Sequence, residues 1–242
     1  MGISACVLLD FSRQNCNCGL GQSNRLYSDM LSTNQSMMGC RRTLIPQSFY
    51  LRPVEVVAPE LLGKLLCRNG VVLRITEVEA YGGSEDSASH CRFGRTERNA
   101  PMWGMGGHCY VYLCYGIHQM LNIVAGFEGG GAAVLIRSCE VVEGLEKVLE
   151  RRRAKPGMTT AILCNGPGKV AQALAIDRSF NNHPLFVPSG LELREGPRPA
   201  SIERSGRIGI GYASESDKSA LLRYITFPVQ NPVSQPGMLA RL

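Results

Sequence analysis

The run Val71-Val72-Leu73-Arg74-Ile75-Thr76-Glu77-Val78-Glu79-Ala80-Tyr81 decides how the rest of the chain is read. With an unbroken period of two, Val71, Leu73, Ile75, Glu77, Glu79 and Tyr81 share one face of a strand. An apolar face therefore runs directly into two carboxylates, which a folded chain tolerates only when they have a partner or a task. Asn69-Gly70, just before the run, marks a tight turn.

Downstream, Tyr110 to Cys114 and Ile117 to Val124 read as two strands joined near Tyr115-Gly116, and the glycine turn at Gly129 to Gly131 leads into a third, Ala132 to Ser138. Residues 82 to 107, rich in Gly and Arg, read as a long surface loop, uncommon in a compact domain unless it binds something. Upstream, Pro59-Glu60 is expected to open a helix with Leu61, Leu62, Leu65 and Leu66 on one face. Val141 to Ala154 has the pattern of an amphipathic helix ending in Arg151 to Arg153, and Gly168 to Ile176 of a second. Leu191 to Arg194, Arg207 to Tyr212 and Leu222 to Phe227 are short strand candidates. Helices and antiparallel strands are mixed, so the expected class is α+β in a single domain.

The chain has 242 residues, 44% hydrophobic and 19% charged, which is enough for a substantial core. Its net charge of +6 favours a polyanion partner without requiring one. The ten cysteines are scattered, follow no signal-peptide pattern and form no Cys-x-x-Cys pair, so reduced intracellular thiols are expected and no metal. No apolar run reaches the length of a membrane span. Residues 1 to 44, rich in Ser, Asn, Gln, Cys and Met and poor in acids, read as a disordered leader, an organelle-targeting segment or sequence upstream of a true start at Met37 or Met38. The domain is expected over residues 45–242.

Two carboxylates, a strand arginine and a rank of tyrosines suit hydrolysis of an N-glycosidic bond on an extruded nucleobase. The leaving base must be stacked, and the sugar cation must be met by negative charge. Glu79 is the leading acid, although Glu77 shares its face and the strand alone does not separate them. Arg137 lies in parity with Ala133 and Leu135, either in a structural ion pair or over a bound anion. Tyr110 and Tyr112 share one face, whereas Tyr115 sits at the hairpin tip, where a protruding ring can enter a base stack. His90 and Asn122 present groups that can meet a base edge, or simply close local hydrogen bonds. Arg92, Arg95 and Arg98 make the 82–107 loop basic, with Arg95 and Arg98 as candidate phosphate contacts, and Lys169 follows Asn165-Gly166-Pro167-Gly168 in a segment able to hold a phosphate.

From about Leu61 to Phe227 the chain also resembles the alkyladenine (3-methyladenine) DNA glycosylases of the mammalian-type superfamily, which has bacterial members. The resemblance rests on LLGKLL, TEVEAY, Glu85-Asp86 with Ala88 and His90, GRTERN, YVYLCYG with Asn122, VLIR, LCNGPGK and QALAI, all in order. It implies a single mixed domain around a curved antiparallel sheet. It further implies binding of duplex DNA through the minor groove and hydrolysis of alkylated or deaminated purines without metal or cofactor. By motif, Glu79 resembles the water-activating base and Arg137 a residue that helps hold the water. Tyr81, His90 and Tyr112 resemble the lining of the base pocket, Asn122 the group that disfavours guanine, and Tyr115 the intercalating residue. Glu97, Trp103 and His118 depart from the residues usual at their places. A monomer acting inside the cell on damaged double-stranded DNA is expected. The rivals are a non-catalytic nucleic-acid damage-binding module, for which basic loops and tyrosines suffice, and a hydrolase of free nucleosides, which needs no wedge.

Overall fold

The computed structural model describes residues 42–155 and 157–227. The expected leader falls outside them except for its last three positions, as does the end of the expected domain, 228–242. Of those three, Thr43 accepts a backbone hydrogen bond from Glu195 and Leu44 bridges to Arg194.

One antiparallel, curled sheet organises the described residues, in keeping with the α+β expectation. Its strands are β1 (Leu65–Arg68), β2 (Val71–Tyr81), β3 (Cys109–Cys114), β4 (His118–Ala125), β5 (Ala132–Glu143), β6 (Glu192–Arg194), β7 (Glu203–Ser205) and β8 (Arg223–Ile225). The main order is β3-β4-β5-β2-β1-β6. On the edge of β2 away from β5, β1 pairs with residues up to Arg74 and β8 with Glu77 to Glu79, so β2 is paired on both sides along most of its length. The α-helices are short: α1 (Val54–Leu61), α2 (Leu145–Arg151), α3 (Pro167–Ala173) and α4 (Glu215–Ser219). No helix among the described residues is long and apolar enough to cross a membrane.

The sheet has two different faces. On one, Val78, Ala80, Val111, Leu121, Ile123, Val134 and Ile136 pack with Val57, Ala58 and Leu61 of α1, Val148 of α2 and Val170 and Ala171 of α3 into the main core. Each large aliphatic side chain buried there contributes roughly 1.5–3 kcal/mol. On the other face, Tyr110, Val124 and Ala133 pack with Cys91 and Met102, while Tyr81 packs with Ala88, Ile210 and Ala213. Helices cover the first face; the connections around 82–107 and 206–214 wall the second.

The expected period of two along β2 is broken, and this correction bears directly on the site. Ile75 pairs with Cys139, Glu77 with Ser138 and Val78 with Ile136, so Thr76 is an extra residue on β2 and Arg137 on β5. Each bulge reverses parity. Leu73 and Ile75 face the main core, but beyond the bulge that face is taken by Val78 and Ala80. Glu79 and Tyr81 are thereby turned to the opposite face.

Other expectations are corrected by local physics. The helix near Pro59 runs earlier, from Val54, with Pro59 in its last turn, where it forgoes one backbone hydrogen bond and the helix stops two residues later. It ends at Leu61, Gly63 reverses the chain at φ +83, and Leu65 and Leu66 belong to β1. Short apolar runs fit either element by pattern alone. Val141 to Glu143 extend β5, so α2 is confined to Leu145–Arg151. Arg207 to Tyr212 is not a strand; β7 lies at Glu203–Ser205 instead. The backbone around Ile208 and the Arg207 side chain are committed to partners outside any ladder. The 82–107 segment is less a surface loop than a folded wall, with Ala88, Ser89, Cys91, Asn99 and Met102 buried and a 3₁₀ turn at Ala100–Trp103.

Candidate active site

The second face of the sheet, the 82–107 wall and the 206–212 segment enclose a cavity of about 450 Å³, within the size range of small-molecule sites. Its lining includes Tyr81, His90, Arg98, Tyr110, Tyr112, Tyr115, Asn122, Arg137, Ile208 and Tyr212. Seven residues singled out from the sequence therefore converge on one space: Tyr81, His90, Arg98, Tyr112, Tyr115, Asn122 and Arg137.

Glu79 lies one layer behind that lining, with none of its surface exposed. Its Oε2 accepts hydrogen bonds from the Tyr81 hydroxyl at 2.8 Å and from Arg137 Nη1 at 3.2 Å, and its Oε1 accepts the Ile208 backbone N–H at 2.7 Å. All three donors line the cavity. A buried carboxylate is stable only when so supplied. Burial, reinforced by the charge of Glu79 and the hydrogen bond to it, pushes the Tyr81 phenol far above its ordinary range, so Tyr81 stays a donor. Glu77, the alternative acid, is elsewhere: its Oε1 accepts from Arg137 Nε at 3.2 Å and from Arg223 Nε at 2.6 Å, and it does not line the cavity.

The aromatic wall is built on β3. Tyr110 and Tyr112 share the cavity face as their parity requires, with ring centroids 5.5 Å apart. His90 packs edge-on against Tyr112 at 4.5 Å, and its Nδ1 is 2.9 Å from the Tyr110 hydroxyl. Burial, followed by the charges of Arg98 and Arg92, lowers the His90 pKa to about 4, so the imidazole is neutral at pH 7. Burial likewise pushes the Tyr112 phenol up to about 12. Asn122 on β4 is buried and donates to the carbonyls of Tyr110 at 3.1 Å and Met120 at 3.2 Å, which fixes its amide at the cavity wall.

Tyr115 occupies the tip of the β3–β4 hairpin and is 91% exposed. Tyr115 and Gly116 both have positive φ, and Ile117 N–H returns to the Cys114 carbonyl, as in the turns that match strand twist. The ring stands clear at the cavity mouth.

The expected phosphate contacts separate. Arg98 is exposed, lines the cavity and has its guanidinium 5.8 Å from the Tyr112 ring. Arg95 is exposed but outside the lining. Lys169 is held within its own segment, donating to Asn165 Oδ1 at 2.6 Å.

Several structural partners of the site were not among the residues singled out. The N–H of Ile208 has no sequence signature. Arg207 reaches Asp86 across the fold and lies 4.9 Å over the Tyr81 ring. Asn99 braces the wall by donating to the carbonyls of His90 and Gly94 and accepting from Thr96 N–H and Trp103 Nε1. Its place in GRTERN was the only available hint.

Comparison with known proteins gives the chain a family. A protein from Nitrosococcus oceani, provisionally named 3-methyladenine DNA glycosylase, is 53% identical over 179 residues, covering 73% of this chain and 87% of its own. A DNA-3-methyladenine glycosylase of Arabidopsis thaliana is 48% identical over 209 residues, covering 86% of this chain and 81% of its own. The family described as methylpurine-DNA glycosylase matches residues 48–228, most of the chain, and the chain belongs to that family.

Proposed function

We propose that this chain is a monofunctional DNA glycosylase of base excision repair, which turns alkylated or deaminated purines out of duplex DNA and hydrolyses their N-glycosidic bond. The observation that carries this reading is a fully buried Glu79 whose three hydrogen-bond donors, Tyr81, Arg137 and the Ile208 N–H, all face one aromatic cavity. Family membership supports the same activity.

In this mechanism Tyr115 enters the duplex and takes the place of the expelled nucleotide. Unstacking costs a few kcal/mol, and stacking the purine against Tyr81, His90 and Tyr112 returns about 1–3 kcal/mol per ring. Asn122, fixed by two carbonyls, occupies space beside the base and disfavours the exocyclic amine of guanine. A water molecule exchanges with the long Arg137 contact on Glu79, as sites commonly tighten when substrate arrives. As the N-glycosidic bond breaks, its electron pair leaves with the base. The water oxygen bonds to C1′ and its proton passes to Glu79, whose charge has stabilised the oxocarbenium-like sugar. The products are a free base and an abasic site. A cationic base leaves neutral, whereas a neutral base needs a proton or donated hydrogen bonds.

Arg98 meets a phosphate at the cavity rim and Arg95 one beyond it, with Lys169 in a lesser role because Asn165 already holds it. The partner is double-stranded DNA, the protein acts as a monomer, and it works in the cell wherever that DNA lies.

Glu79→Gln tests the proposal. It should bind lesion duplex within about threefold of wild type yet lose roughly 10³-fold or more in base release, within the range of removing an acid–base group. Alkali-cleavable abasic sites at near-normal rate from this variant would sink it. A binding module without chemistry would give none even from wild type.

A further inference from the structure

Arg137 is shared between two acids, and the second acid is itself shared. Arg137 Nη1 donates to Glu79 Oε2 at 3.2 Å and Nε to Glu77 Oε1 at 3.2 Å, while Arg223 Nε donates to that same Glu77 oxygen at 2.6 Å. Arg223 is in turn 3.4 Å from the Ser205 hydroxyl through Nη1. The four side chains form an alternating row, Glu79–Arg137–Glu77–Arg223, drawn from three strands. Their exposure rises along it: 0% at Glu79, 15% at Arg137, 18% at Glu77 and 22% at Arg223.

The bulges make the row possible. Arg137 is the extra residue on β5 and Glu77 lies between the two register slips, at the place where β2 pairs with β8, over Glu77 to Glu79. Pairing here follows charge balance: two acids and two cations sum to zero, which partly buried charges require. Because Nε is committed to Glu77, Arg137 gives Glu79 a single hydrogen bond instead of a two-point fork. Nη2 has no hydrogen-bond acceptor among the described residues and sits on a side chain that lines the cavity.

We infer that Glu77 and Arg223 are positioning residues for the proposed chemistry: they hold the Arg137 guanidinium rotated so that Glu79 stays available to accept a proton and Nη2 faces the incoming nucleotide or water. This rests on the reading of Glu79 as the proton acceptor. The other titratable or charged groups near Glu79 are Tyr81 from β2, Tyr112 from β3 and, over the Tyr81 ring, Arg207. The variants below leave all three in place.

The experiment is a pH–rate profile of single-turnover excision from a duplex carrying a cationic N-alkylpurine, whose departure needs no added proton. Glu77→Gln removes one negative charge and frees Arg137 to fork onto Glu79. Its acid limb should move to lower pH by roughly half a unit or more, with a several-fold lower plateau, because nearby charge shifts proton equilibria by such amounts. Arg223→Gln leaves the row with one excess negative charge and should move the limb to higher pH. Arg223→Lys keeps the charge and should keep the wild-type limb. A purely structural role lowers amplitude without moving the limb, so coincident limbs in all the variants would overturn the inference. Should Glu77→Gln fail to fold, the opposite expectations for Arg223→Gln and Arg223→Lys decide the matter. Glu79→Gln serves as control: if it still releases base, the proposed function has failed. If it is inactive while the limbs coincide, only the positioning role has failed.

Discussion

Arg207 holds Asp86 by two contacts behind the cavity wall, Nη1 to Oδ2 at 2.5 Å and Nη2 to Oδ1 at 2.9 Å, although the two residues are 121 positions apart in the chain. Asp86 also accepts the backbone N–H groups of Gly82 and Ala88, and Arg207 donates to the Ala80 carbonyl. The pair thus ties the end of β2 and the start of the 82–107 wall to the 206–212 segment, which carries Ile208. Burial opposes the Arg207 charge, but the hydrogen bonds and charge of Asp86 outweigh it and hold the guanidinium pKa above its ordinary value.

Breaking this pair from one side leaves a buried cation without its counter-charge. Asp86→Asn should therefore lose about 3–5 kcal/mol of stability. For a domain of this size that lowers Tm by roughly 10 °C. Differential scanning calorimetry checks it, and a drop of under about 2 °C would mean that the pair contributes little.

Tyr115 has φ +51 at a 91%-exposed hairpin tip, a conformation that costs a side-chain-bearing residue about 1–2 kcal/mol. Tyr115→Gly should fold at least as stably as wild type, while its excision from duplex DNA falls about tenfold or more. Excision of the same lesion in single-stranded DNA should change less than about threefold. Equal losses on both substrates would remove the ring from any part in extruding the base.

His90 supplies a pH dependence of stability with a definite sign. Its folded pKa is lowered to about 4 by burial and by Arg98 and Arg92, against about 6.5 in the unfolded chain. Between those values the unfolded chain binds the extra proton, so stability rises with pH through the window and levels off above it. Urea midpoints of wild type and His90→Gln should differ most near pH 7 and converge as pH falls towards 4.5. A gap independent of pH would show that the imidazole is not held neutral.

Much of this site was legible because its signals are local. The β3–β4 hairpin follows from alternation and a Tyr-Gly turn, and it placed Tyr110 and Tyr112 on one side and Tyr115 at the tip. Glu79 was singled out for sharing a face with Leu73 and Ile75, and that reason was wrong: Thr76 looks like any strand threonine, and nothing in its type announces an extra residue. Glu77 and Glu79 remained unresolved by pattern, and only the bulges send one behind the cavity and the other to Arg223. Asp86, Arg207 and Arg223 were illegible as partners because their meaning lies in contacts across more than a hundred residues. Ile208 acts through its backbone, which every residue type shares.

The paired slips at Thr76 and Arg137 also fix the chain's tolerance for change in length. Deleting Thr76 would remove the extra residue and leave plain alternation, with Ile75, Val78 and Ala80 on the oily side and Glu79 still towards the substrate. A one-codon loss just beyond the slips, at Val78, would with the bulge kept exchange the acid for a methyl group.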